Sequence, residues 1–90
     1  MSKPEKYRKK AVVIEAVQLT HENNREIVEW SEGEVKETRH STLMLIDTLE
    51  GQMQAHVGDY IVRGVNGEYH PCRPSIFEAT YELVEEHSTA

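Results

Sequence analysis

The sequence predicts a small α+β domain: a mostly antiparallel sheet of about five strands, curled toward a partly open barrel, with one main helix. Three observations predict it. Asn66-Gly67 is a turn signal between two runs of β-formers. Residues 42–57 alternate apolar and polar side chains on either side of Glu50-Gly51. Ile27, Val28 and Trp30 form the apolar side of a stretch whose Glu22, Arg25, Glu26 and Glu29 face water, the pattern of a short amphipathic helix.

Ninety residues make a single domain with a thin core. Three segments are expected: a basic arm over 1–10, one folded domain over 11–84, and a disordered acidic tail over 85–90. The arm holds five of the ten basic residues. An electrostatic contact with an acidic partner or a neighbouring subunit is its functional reading.

Residues 11–19 are rich in β-branched side chains and apolar on both faces. Such a strand belongs in the middle of a sheet or between layers. Thr20 is placed to cap a helix over 21–31, and Gly33 to stop it. Trp30 anchors that helix in the core. Residues 34–41 are polar and read as a loop. Taking Glu50-Gly51 as a two-residue turn sets Thr48 against Met53, Ile46 against Ala55 and Met44 against Val57. That leaves one face nearly all apolar.

The central hairpin carries the most varied chemistry. With Asn66-Gly67 as a type I′ loop, Arg63 faces His70, Ile61 faces Cys72, Tyr60 faces Arg73 and Gly64 faces Tyr69. Tyr69 would then cover Gly64. Pro71 and Pro74 confine the second strand to an edge. Beyond it, residues 75–78 read as a short helical turn with Phe77 as a plug. Residues 79–84 read as a last strand.

The formal charge of −6 argues against general nucleic-acid or membrane-surface binding, which needs basic patches. No apolar run approaches the ~20 residues that span a bilayer. A single cysteine fits a reducing cytoplasm. Glu15 and Gln18 interrupt the apolar run after the basic start, against a signal peptide.

No known catalytic spacing is present, so the protein is expected not to be an enzyme and to need no cofactor. His70 and Cys72 form the only pair resembling a base and a thiol nucleophile, with no third group to orient them. A structural Cys72 opposite Ile61 is the simpler reading. His56, Asp59, His70 and Cys72 are zinc-type ligands without ligand spacing, so no metal is expected. The speculative ligand-binding set is Tyr60, Tyr69 and Arg73 on one hairpin face, with Arg63 and His70 on the other. Two rings and a guanidinium can stack a base and pair a phosphate. The simpler reading has Tyr69 cover Gly64, Tyr60 pack in the core and Arg73 snorkel.

The ordered motifs Tyr7-Arg8-Lys9-Lys10, Val12-Val13-Ile14-Glu15-Ala16, Thr48-Leu49-Glu50-Gly51, Gly58-Asp59-Tyr60-Ile61, Gly64-Val65-Asn66-Gly67-Glu68-Tyr69, Pro71-Cys72-Arg73-Pro74, Ile76-Phe77-Glu78 and Thr80-Tyr81-Glu82 resemble a family of small proteins of tailed bacteriophages and prophages. The resemblance spans residues 7–82. The chain departs from it at Ala11 and Val57, where relatives often carry Pro. The family's biochemical function is undefined. The resemblance therefore implies a phage or prophage source and action in the bacterial cytoplasm, and it transfers no catalytic residue. The expectation is a small non-enzymatic binding protein acting on a host or phage protein, as a homo-oligomer. The alternative is sequestration of a small anionic ligand such as a nucleotide signal. A small enzyme comes last.

Overall fold

A computed structural model describes residues 4–6 and 12–84. Most of the basic arm and the whole acidic tail lie outside the described residues. The elements run β1 (Glu15–Gln18), α1 (Asn24–Trp30), β2 (Val35–Glu37), β3 (Leu43–Thr48), β4 (Gly51–His56), β5 (Tyr60–Arg63), β6 (Tyr69–Cys72) and α2 (Pro74–Thr80). The strands form two antiparallel three-stranded sheets, ordered β1-β5-β6 and β2-β3-β4. The fold is the expected α+β, with six strands and with the helical turn after Pro74 extended into a second short helix.

α1 begins three residues later than the sequence suggests. The Asn23 side chain turns back to accept the Thr20 N–H at 2.8 Å and to donate to the Gln18 carbonyl at 2.8 Å. It thereby ties the end of β1 to the start of α1. The helix ends in a Schellman pattern: Gly33 N–H reaches the Val28 carbonyl at 2.9 Å and Glu32 N–H the Glu29 carbonyl at 3.1 Å. The left-handed position is Glu32, at φ 54°, one residue before the expected glycine. Ser31, almost fully buried, donates its hydroxyl to the Val28 carbonyl and accepts the Val35 N–H. That second bond starts β2 within the segment expected to be a loop.

The β3–β4 hairpin turns over Leu49 and Glu50, so Ile46 pairs with Met53 and Met44 with Ala55. This register differs by two from the expected one. A slip of two keeps every side chain on its face. Met44, Ile46 and Ala55 are accordingly buried, as the alternation requires. They form the core with Leu19, Ile27, Val35, Ile61 and Tyr69. Val17, Val28, Trp30 and Val57 pack around this cluster.

The two sheets join through a turn at residues 56–59. Asp59 N–H donates to the His56 carbonyl, and the Asp59 carboxylate accepts the His56 N–H, both at 2.9 Å. Gly58 sits there at φ 100°, a conformation that glycine adopts freely. β6 then packs against β3 and β4.

The central hairpin departs from expectation by one residue. Arg63 pairs with Tyr69, Val62 with His70, Ile61 with Pro71 and Tyr60 with Cys72. Gly67 N–H donates to the Gly64 carbonyl at 3.0 Å and Gly64 N–H to the Glu68 carbonyl at 2.7 Å, leaving a three-residue loop. Gly67 alone takes positive φ, at 81°, and Asn66 does not. This is a type I turn with a glycine bulge, not the type I′ turn. Asn-Gly satisfies both, so core burial decides between them. The observed register places Ile61 and Tyr69 on one face, where Trp30 meets Tyr69 edge-on at 5.3 Å. Gly64 is covered by the Glu68 carboxylate rather than by Tyr69, and Glu68 accepts the Asn66 N–H at 3.0 Å.

The expected last strand over 79–84 is not formed. Pro74 sits in the first turn of α2, where its missing N–H costs nothing, and the helix runs on to Thr80. Tyr81 ends it in extended backbone.

Candidate functional site

The one-residue shift divides the speculative ligand-binding residues between two faces of the β1-β5-β6 sheet. Tyr60, Val62, His70 and Cys72 share one face, and Ile61, Arg63, Tyr69 and Pro71 share the other. Tyr69 is 8% exposed and belongs to the core. Tyr60 stacks on Phe77 of α2, with centroids 3.9 Å apart and planes 8° from parallel. Phe77 in turn meets Tyr81 at 5.0 Å. Arg73 is exposed at the start of α2. Arg63 is exposed and reaches Glu15 of β1 at 3.4 Å. Arg63 and His70, expected as cross-strand neighbours, lie on opposite faces. The structure brings no two rings and a guanidinium together on this hairpin.

Cys72 is half-buried opposite Tyr60, not Ile61. Burial, with the nearby Asp59 carboxylate adding to it, pushes its thiol above the usual cysteine range. A thiol held protonated is a poor nucleophile at neutral pH. His56 Nδ1 lies 3.8 Å from the Asp59 carboxylate, and the two are a turn pair rather than a ligand set. Among the described residues, no three His, Cys, Asp or Glu side chains gather to hold a metal ion.

What the structure does assemble is a groove of about 900 Å³ along β1. Residues 12–17 line it without interruption. Ile27 and Trp30 form one wall, and Tyr60, Phe77 and Tyr81 form the other. Leu83 and Val84 extend that second wall. The walls therefore come from opposite faces of the sheet, and the groove wraps the sheet's edge. Several of its apolar side chains are open to solvent: Val13 is 75% exposed and Leu83 90%. Its charged members among the described residues are Glu15, Glu26, Glu78 and Glu82, all acidic.

Sequence reasoning placed Trp30 and Phe77 as packing residues and missed that they flank a groove. The available signal was the apolar run of 11–19, read as a central strand. Among the described residues, β1 is instead an edge strand whose one hydrogen-bonded neighbour is β5. A second hollow, of about 350 Å³, lies between the β3–β4 turn and β6, lined by Leu49, Met53, His70 and Pro71. It is shallow and has no charged member besides Glu50 and Glu68.

No helix among the described residues is long and apolar enough to cross a membrane. No protein family, curated protein or solved structure matches the chain. The phage resemblance accordingly rests on the sequence motifs alone.

Proposed function

We propose that this protein is a small non-enzymatic binding module, of phage or prophage origin, that docks a host or phage protein in the groove along β1. The observation that carries this reading is the groove itself. It joins solvent-facing Val12, Val13, Leu83 and Val84 to a wall of stacked aromatic rings. Aromatic and aliphatic side chains gathered in a concave, open surface are the composition of a protein-docking site. The motif resemblance supports the phage source and the bacterial cytoplasm as the place of action.

The acidic rim works against the alternative, a nucleotide-like ligand, because an anion entering the groove would meet four carboxylates. No arginine among the described residues lines it.

Affinity capture with the tagged chain, set beside Leu83→Asp and Val13→Asp, tests the proposal. Both positions are highly exposed, so the variants keep the fold. A protein retained by the parent and lost by both variants is the expected result. Equal capture by all three, or none from several bacterial lysates, overturns it. A thermal shift of several degrees with a nucleotide would favour the alternative.

A further inference from the structure

Building on the groove as a docking surface, we propose that its occupant is a β-strand of a partner protein, apolar at alternate residues and flanked by Lys or Arg, which pairs with the free edge of β1.

The first observation is a mismatch between pattern and place. Residues 12–17 are apolar on both faces apart from Glu15, the pattern of a strand covered on both faces, yet Val12, Val13 and Ala16 are exposed. β1 has one neighbour among the described residues, β5. Leu19 N–H donates to the Asp59 carbonyl at 2.8 Å. Antiparallel alternation from that bond directs Val17 and Glu15 toward β5, and turns the Ala16 N–H and carbonyl to the open side.

The second is that, among the described residues, the stretch of this edge at Ala16 lacks the usual guards. Exposed edges are blunted by proline, lysine or bulges. β6, at the far edge of the same sheet, carries Pro71. β2, an edge of the other sheet, carries Lys36. Beside Ala16 stands only Glu15, drawn toward Arg63 at 3.4 Å.

The third is charge. Among the described residues, the acids at the groove are Glu15, Glu26, Glu78 and Glu82, and no Lys, Arg or His lines it. Among the described residues, only Glu15 of the four has a basic partner. Strand addition supplies main-chain hydrogen bonds, and rim charges set the choice of partner. A second copy of this chain fits poorly, because two-fold pairing of β1 edges would bring both sets of carboxylates together on a chain of charge −6.

The test uses the full chain, labelled with ¹⁵N, and a synthetic peptide of about twelve residues with alternating valine and threonine between two Lys-Arg pairs. Binding with chemical-shift changes centred on residues 14–17, and slowed exchange of the Ala16 amide, is expected. Ala16→Pro removes only the outward N–H and leaves the bonds to β5. It should weaken binding about tenfold or more, as should a Glu-Glu-flanked peptide. Glu78→Lys with Glu82→Lys, both exposed, should reverse the preference between the two peptides.

No binding at about 1 mM peptide overturns the proposal. Undiminished binding to Ala16→Pro overturns strand pairing, yet leaves groove docking intact if Leu83→Asp abolishes it. A concentration-dependent dimer that Ala16→Pro dissolves makes the occupant a second copy and overturns it too.

Discussion

The register of the central hairpin decides which side chains are neighbours, and the two tyrosines read it out. Tyr69 is almost fully buried and meets Trp30 edge-on, whereas Tyr60 is half-buried beneath Phe77 on the opposite face. Removing a core aromatic ring costs about 3–5 kcal/mol. A domain of this length has about 5–13 kcal/mol in total. Tyr69→Ala therefore removes a large share of the stability, and Tyr69→Leu, which refills part of the space, costs about 1–3 kcal/mol. Tyr60→Ala loses roughly half the burial of one ring, about 2 kcal/mol. Urea unfolding followed by circular dichroism and by the single tryptophan gives these values directly. Coupling is the sharper measure. Tyr69 and Trp30 should show about 0.5–1.5 kcal/mol of interaction in a double-mutant cycle. Tyr60 and Trp30 should be additive within about 0.5 kcal/mol. Coupling of Trp30 to Tyr60 but not to Tyr69, or a Tyr69→Ala cost below about 1 kcal/mol, would refute the register and the division of faces built on it.

Three further outcomes follow from local geometry. Glu32→Gly should raise stability by about 0.5–1 kcal/mol in thermal or urea unfolding, because Glu32 holds a left-handed conformation, at φ 54°, at the end of α1. Cys72 should react with iodoacetamide more slowly than free cysteine at pH 7, its rate climbing further into the alkaline range, since burial and Asp59 keep the thiol protonated. Asp47 accepts from Lys36 at 2.8 Å and Gln52 at 3.3 Å, and the lysine bond above all holds its carboxyl below the usual range. A lowered carboxyl contributes stability above its unfolded pKa and loses it as pH falls through the folded one. Asp47→Asn should thus lower the melting temperature slightly at pH 7, with the difference closing as pH falls below the usual carboxylate range and in about 1 M salt.

The sequence alone determined what depends on neighbours along the chain. Alternation along 42–57 assigned Met44, Ile46 and Ala55 to one buried face, and that assignment survived a register error of two because the side-chain period of a strand is two. The apolar side of α1, with Ile27 buried and Trp30 packed against the core, was legible from helical spacing. Tertiary structure decided what local pattern leaves degenerate. Asn66-Gly67 fits a two-residue or a three-residue loop, and the one-residue difference between them moves Tyr69 from the face of Tyr60 to the core. Residues 79–84 alternate like a strand, yet the helix that opens at Pro74 continues through Thr80, where Phe77 finds Tyr60 to stack on. The place of β1 at a sheet edge, and with it the groove, follows from the order β1-β5-β6. Strand order is set by contacts far apart in the chain, which no local period encodes.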